Sequence, residues 1–284
     1  MLKQAKKSLS IMTLIGLVSA CNTVASAAPN RYIDAESASI NSTTLTLTDN
    51  GKNYVHIKKG EFVTPWISPS QYYRGTHAIG FEMNPTSGTA PDGQSMDKSN
   101  YRVIAGNEAD ALGFLQDKYT GFAVKLESNF DLPEKPVQLF QWWQGSPFSP
   151  PLELRVKPNS TDYEFVYRND TTGRGPTAAK VLYTGTMTKG EWLTFVVYTR
   201  MSTTSDTETG KIKIWVNGTL VKDWDGDVGY DSTVDYYYKD AYYRSNPKFD
   251  IFFGLYRDRQ MKHHKAMFDQ IKFGTSYADV DPDQ

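Results

Sequence analysis

The sequence is written in period two. Apolar and polar residues alternate in short runs that Gly, Pro, Asn or Asp cut off, and such alternation marks half-buried antiparallel strands, because successive side chains of a strand point to opposite sides of its sheet. The clearest runs are Thr44 to Thr48, Gly121 to Leu126, Val137 to Trp143, Leu152 to Lys157, Tyr163 to Tyr167, Trp192 to Tyr198, Lys211 to Val216, Phe249 to Phe253 and Ala266 to Phe273. No long stretch carries a helical period, no internal repeat is visible and no Pro/Ser-rich linker divides the chain. Helical bundles are disfavoured, and one all-β domain of two packed antiparallel sheets, a sandwich or jelly roll, is predicted. The 18 Tyr, 14 Phe and 6 Trp beside 21 Gly and 14 Pro agree with strands joined by turns.

The amino terminus has a different grammar. Lys3, Lys6 and Lys7 precede an apolar stretch from Ile11 to Ala20 that is too short to span a bilayer, the pattern of an export signal. Two cleavage readings stand: Val18-Ser19-Ala20 before Cys21 resembles a bacterial lipobox, and Ala25-Ser26-Ala27 fits a small-residue site. The expected organisation is a signal at 1–21, a small polar tether at 22–32 and a domain at 33–284. A lipid on Cys21 would tether the domain without spanning the membrane. The expected location is therefore secreted, periplasmic or on the outer membrane of a bacterium as a lipoprotein.

Cys21 is the only cysteine, which excludes an internal disulfide and a thiolate metal cluster. A net charge of −1 gives no global field toward nucleic acid or an anionic membrane. An anionic ligand has to be met locally.

Period two also assigns faces. An ideal strand over Val137 to Trp143 puts Leu139, Gln141 and Trp143 on one side and Gln138, Phe140 and Trp142 on the other. In the next run Leu152, Leu154 and Val156 take the core side and leave Glu153, Arg155 and Lys157 together. In Lys211 to Asn217 the outward set is Lys211, Lys213, Trp215 and Asn217. An outer face lined by Gln, Arg, Lys and Trp can hold an extended polar polymer, although a merely solvated face is the commoner lot of any one strand.

Four blocks in one order carry a family resemblance. Gly190-Glu-Trp-Leu-Thr-Phe-Val-Val-Tyr with Gly210-Lys-Ile-Lys-Ile-Trp-Val-Asn-Gly218 resembles the G-x-W and W-x-N-G stretch of polysaccharide lyases with a concanavalin-like jelly roll. Val137-Gln-Leu-Phe-Gln-Trp-Trp143 and Pro150-Pro-Leu-Glu-Leu-Arg155 are similar to that family's glutamine strand and the strand after it. Phe249-Asp-Ile-Phe-Phe-Gly-Leu-Tyr-Arg257 and Met267-Phe-Asp-Gln-Ile-Lys-Phe-Gly274 resemble its tyrosine strand and closing strand. Heparin lyase I, glucuronan lyases and some ulvan lyases share this layout. The chain departs from it at Trp143, where the family often has His, at Phe252, where it often has Lys, and in lacking a clear Arg-x-Glu strand, although Arg102 and Glu108 lie in that region.

The resemblance implies a concave substrate cleft and β-elimination on a uronic-acid polymer: ulvan, glucuronan, alginate or a glycosaminoglycan. Such a reaction removes the proton at C5 and expels the group at C4, so the carboxylate beside C5 must be neutralised as charge builds up next to it. By resemblance Gln141 is the neutralising amide, with His77 and Arg102 as helpers, and Tyr256 transfers the proton. A free phenol ionises near pH 10, so a tyrosine base either works at alkaline pH or, near neutrality, needs cations beside it, expected from Arg155 or Arg102 because an ideal strand points Arg257 to the opposite side. Trp143, Arg155, Arg102 and Arg257 are the expected substrate contacts.

The run Tyr236, Tyr237, Tyr238, Tyr242 and Tyr243, with Lys239 and Arg244, suits a sugar-binding rim or equally a loop packed over the sandwich. His263 and His264 sit in a basic segment that reads as a solvated turn or rim. No cofactor or metal is expected. Asp223, Asp225 and Asp227 have the spacing of a calcium loop without its closing glutamate, so structural calcium stays unassigned. Two other functions compete: a non-catalytic carbohydrate-binding sandwich, in which the His and Lys departures mark lost chemistry, and a glycoside hydrolase, for which paired acids of E-x-D-x-x-E spacing are missing.

Overall fold

The computed structural model describes residues 31–41, 46–59, 65–85, 98–104, 112–145, 147–169, 178–238 and 241–284. The expected signal, the Cys21 lipidation site and nearly all of the tether lie outside them, as do Glu108 and Lys239. Two antiparallel sheets face each other. The larger runs β13 (Lys180–Thr186), β12 (Asp162–Tyr167), β11 (Leu152–Val156), β10 (Val137–Trp143), β19 (Lys248–Asp258), β7 (Lys98–Ile104), β4 (Lys52–Lys59), β3 (Thr46–Asp49), β2 (Ser39–Asn41), with β8 (Leu112–Gly113) on β19. The smaller runs β16 (Thr219–Asp225), β15 (Lys211–Val216), β14 (Trp192–Arg200), β9 (Lys118–Leu126), β20 (His264–Gly274), β6 (Ala78–Met83), β5 (Trp66–Ser68), with β1 (Arg31–Ile33) on β20. A separate hairpin pairs β17 (Tyr236–Tyr238) with β18 (Ala241–Tyr243). The one described helix is the four-residue α1 (Tyr277–Val280), so no described helix is long and apolar enough to cross a membrane. The first described strand includes Arg31 and Tyr32, two residues ahead of the expected Ile33, and they pair with Phe273 and Lys272.

The strand order alternates between sheets: β9 to β10, β13 to β14 and β19 to β20 each change sheet, which is how a jelly roll closes its core. Inward side chains of the two layers meet there. Phe122 of β9 stacks on Phe140 of β10 at 4.2 Å and 12°, and Phe81 of β6 meets Phe253 of β19 edge-on at 5.8 Å. Both pairs belong to one continuous apolar cluster of buried residues drawn from both sheets, the geometry expected of aligned sandwich packing.

The Asn-Gly pair of the W-x-N-G block is a structural device. Asn217 (φ +46°) and Gly218 (φ +73°) form the two-residue link between β15 and β16, where Val216 pairs with Thr219. Both residues have the positive φ that a tight hairpin turn matched to strand twist demands. Asn217 Oδ1 also accepts the Thr194 backbone N–H at 3.0 Å, which ties the turn to β14.

Candidate active site

On the outer face of the larger sheet, β12, β11, β10 and β19 lie side by side. Their register places Glu164, Arg155, Gln138 and Tyr256 in one row and Val166, Glu153, Gln141 and Phe252 in the next. Directly opposed residues of neighbouring strands have Cβ atoms about 4.5–5.5 Å apart, so each row is a line of neighbouring side chains. The underside is core: Leu154, Phe140 and Phe253 occupy the matching inward row.

This alignment requires irregular strands. Between Gln138 and Phe140 the register shifts against both neighbours, with an extra residue on β10 relative to β11 and a further one on β19 relative to β10. The extra residue turns Leu139 inward beside Phe140 and leaves Gln138 on the same side as Gln141 and Trp143. The face expected from an unbroken alternation is therefore corrected: Gln138 stands with Gln141 instead of opposite it, because a bulge advances the pleat by one. On β19 the irregularity falls at Gly254, whose φ of +123° is open chiefly to glycine.

The amides form a pair, with Gln141 Nε2 donating to Gln138 Oε1. Gln141 is buried and Gln138 and Tyr256 are half-buried. Arg155 stands on the same face, held between two acids: Nη1 reaches Glu153 Oε1 at 3.0 Å, and Nε and Nη2 reach Glu164 Oε1 at 2.7 and 2.6 Å. Glu153 is fully buried, and its Oε1 also takes Arg168 Nη2 at 3.1 Å. Arg168 in turn donates to the Pro150 carbonyl at 2.7 Å. Two cations and two carboxylates thus balance beneath one side of the face.

Trp143 closes the other end. Its indole N–H donates to the Phe148 carbonyl at 2.6 Å and its ring meets Phe252 edge-on at 5.4 Å. Beyond it, Phe148, Tyr230 and Tyr236 form a second small core that anchors the β17–β18 hairpin. Gln144 fixes the same junction, accepting from Tyr230 N at 2.7 Å and donating to the Tyr230 and Asn246 carbonyls. Of the tyrosine run, Tyr236 is packing, while Tyr237 and Tyr242 are exposed and touch each other at 5.2 Å.

The expected site residues separate accordingly. Gln141, Tyr256, Arg155 and Trp143 come together on this face. Arg102 lies on β7 at the register position opposite Gly254, one strand from Gln138 across β19. His77 does not join them. It precedes β6 of the smaller sheet, where Thr76 Oγ1 lies 2.7 Å and Glu36 Oε2 3.5 Å from its Nδ1.

Arg257 is also corrected as a substrate contact. It points inward from β19, 1% exposed, and donates to the Lys262 and Asn84 carbonyls at 2.7 Å, with Nη1 2.6 Å from His264 Nδ1. Burial lowers its pKa to about 10 against the pull of Asp131 and Glu134. His264 is no solvated turn either: it is the fully buried first residue of β20, against the Phe130 ring at 4.5 Å. Burial and the adjacent Arg257 charge push its pKa down to about 2, so it is neutral.

Gln138 is the residue of this candidate site that the pattern hid, since two glutamines three apart share a strand face only across a bulge. The three aspartates of the calcium-like run do not converge. Asp223 and Asp225 pair with Lys211 at 3.2 and 2.8 Å, and Asp227 accepts from Ser202. Among the described residues no three His, Cys, Asp or Glu side chains form a group able to hold a metal.

Comparison with known proteins places this fold. The chain is similar in structure to the endo-β-1,4-glucuronan lyase of the fungus Trichoderma reesei, with a TM-score of 0.61 and 18% identity over 90% of this chain and 99% of that one. A cellulose-induced protein gives 0.50 and 14% over 87% and 97%, and an alginate lyase 0.49 and 12% over 84% and 86%. No curated protein matches the sequence. The family model described as polysaccharide lyase matches residues 67–272, more than two thirds of the chain and inclusive of Gln138, Gln141, Arg155 and Tyr256. The chain belongs to the polysaccharide lyase family, an enzyme on a concanavalin-like β-sandwich.

Proposed function

We propose that the protein is an exported lyase that cleaves a uronic-acid-containing polysaccharide by β-elimination, on the outer face of its larger sheet. The observation that carries this reading is the shared row of Gln138 and Tyr256 with Gln141 bonded beside it. An amide pair is suited to the substrate carboxylate, because its N–H groups can share the charge that develops as C5 loses its proton. Tyr256 stands one strand away in the same row, where its phenolic oxygen is the group proposed to take that proton. The C5–H electrons then form the C4–C5 double bond, the C4–O bond breaks, and the proton goes to the departing oxygen. Arg155 enters as a wall, since Glu153 and Glu164 already hold its guanidinium. The glucuronan lyase likeness supports a glucuronate backbone as the first polymer to try.

The test is a panel of glucuronan, ulvan, alginate and glycosaminoglycans, followed by the ultraviolet absorbance of unsaturated ends. Growth of that absorbance with one polymer, and its loss in Tyr256→Phe with an unchanged melting temperature, is the expected result. Near-normal turnover in Tyr256→Phe would remove the proton-transfer assignment. Retention of a polymer without any unsaturated product would favour a carbohydrate-binding module instead. Export with a lipid on Cys21 is checked separately, by the mass of the mature amino terminus.

A further inference from the structure

The sandwich has a second outer face, and it is not featureless. Although β15 offers Lys211, Lys213 and Trp215 outward as expected, it belongs to the smaller sheet, so these residues lie on the side of the molecule opposite Gln141 and Tyr256. Register there aligns Gly274, Tyr119, Tyr198, Lys213 and Asp223 across β20, β9, β14, β15 and β16. Tyr119 meets Tyr198 at 5.0 Å and Trp215 at 6.3 Å, and Trp215 meets Tyr277 of α1 at 5.2 Å. All four rings are half-buried, with part of each surface left to solvent.

Beside Tyr119 and Tyr198 lies a recess of about 270 Å³, lined by these two rings with Asp117, Lys211, Lys213 and Thr275. That is just below the span of drug-sized pockets, about 300–1,000 Å³, and suits one sugar ring. The polar groups are preorganised: Asp117 Oδ1 accepts the Tyr198 hydroxyl at 2.6 Å, and Lys211 and Lys213 are fixed by Asp223 at 3.2 and 3.4 Å. Acids and cations alternate, so the recess presents hydrogen-bond partners without a strong net charge. Aromatic faces beside fixed donors and acceptors match the two sides of a pyranose, its C–H face and its hydroxyls.

We propose that this recess is a second, non-catalytic glycan site, which holds a ring of the polymeric substrate through stacking and hydroxyl hydrogen bonds. The choice of ligand rests on the lyase reading above. A polymer bound on both faces of one rigid body gains from the raised effective concentration of its second contact, so the site would keep the enzyme on its substrate between cuts.

The experiment is affinity electrophoresis of the full chain carrying Tyr256→Phe, in gels containing the polymer that the unsubstituted chain cleaves best, or each panel polymer in turn if none is cleaved. It is run at low salt and at about 1 M salt, where the Debye length falls to about 3 Å. Retardation is expected to persist at high salt, and Tyr119→Ala or Tyr198→Ala, each removing a ring that lines the recess, is expected to weaken the remaining retardation about tenfold. Circular dichroism melts accompany each variant, and Lys213→Gln, a milder change in the same recess, is expected to reduce retention by a smaller factor. Folded variants that are retarded like their parent overturn the proposal, as does a parent that is not retarded at high salt in any of the polymers. Absence of unsaturated ends overturns the lyase reading alone, because retention is scored independently of cleavage.

Discussion

Protonation of His264 is the sharpest handle on how this sandwich holds its closing strands. The imidazole is fully buried, with Nδ1 2.6 Å from the Arg257 guanidinium, and arginine stays charged. A proton on His264 would set two cations side by side in the interior. Its pKa is pushed from 6.5 to about 2, first by burial and then by Arg257. The folded state therefore binds fewer protons than the unfolded one, and the stability this group contributes is present above pH 6.5 and lost as pH falls. Each pH unit below 6.5 costs about 1.4 kcal/mol, or about 2 kcal/mol by pH 5.

Asp269 works in the other direction. Burial raises its carboxyl from 3.8 to about 6, against the bonds it accepts from the Tyr73 and Arg74 backbone. Its contribution is full below the unfolded pKa and is lost as pH rises through about 6. Between about pH 4 and 6 the two slopes offset each other, so these groups leave the parent protein almost flat there. His264→Phe keeps an aromatic ring against Phe130 and leaves Arg257 its Lys262 and Asn84 carbonyls. The variant carries a constant penalty for the lost acceptor, but its stability should rise on acidification from pH 6 toward 4. Parent and variant are compared by urea or thermal unfolding from pH 7.5 to 4.5. The difference should move by about 2 kcal/mol between pH 6.5 and 5, or about 4–8 °C in melting temperature for a domain of this size. Parallel curves across that window would refute a neutral, charge-opposed His264.

Two further substitutions test the supports of the two faces. Glu153→Gln removes the buried charge that holds both Arg155 and Arg168, and breaking one partner of such a pair should cost about 3 kcal/mol; an unchanged urea midpoint would mean the network is idle. Gly121→Ala would place a Cβ 1.7 Å from the Val280 carbonyl oxygen, so α1 must move off the sheet at a cost of about 1–3 kcal/mol, seen as a lower melting temperature and earlier proteolysis near Tyr277; an unaltered melt would refute the close packing of α1.

Much of the fold was legible because alternation is a local signal. The predicted runs Val137 to Trp143 and Lys211 to Val216 coincide with β10 and β15, and Leu152 to Lys157 differs from β11 by one residue. Local signals end where partners are distant. Nothing in Lys211 to Val216 says which sheet it joins, and that choice decides whether Trp215 shares a face with Trp143 or lies behind it. Arg257 stands in basic surroundings that suggest surface, but its neighbours in space, Asn84 and His264, come from just past the end of β6 and from the start of β20. His77 lies in the expected region of the sequence but directly before β6 of the smaller sheet, beside Thr76 and Glu36. The family blocks supplied Gln141 and Tyr256, whose placement on one face was not readable from period two alone.

The polar row is itself a break in the pattern that announces the fold. In a regular β10, Gln138 would share the side of Phe140 and Trp142, and the core would have to bury an amide without a designated partner, at a cost of about 1–3 kcal/mol. A one-residue shift in a strand moves all later side chains to the other face, so an extra residue at Leu139 is the smallest change that brings Gln138 out while Val137, Phe140 and Trp142 stay in. β19 must then absorb its own extra residue to keep Tyr256 opposite Gln138, and Gly254 provides the backbone freedom with φ +123°. The site thus depends on two coupled irregularities in adjacent strands. A run of apolar residues interrupted by two glutamines three apart, next to a strand with a glycine two residues before a tyrosine, is the sequence trace of that coupling.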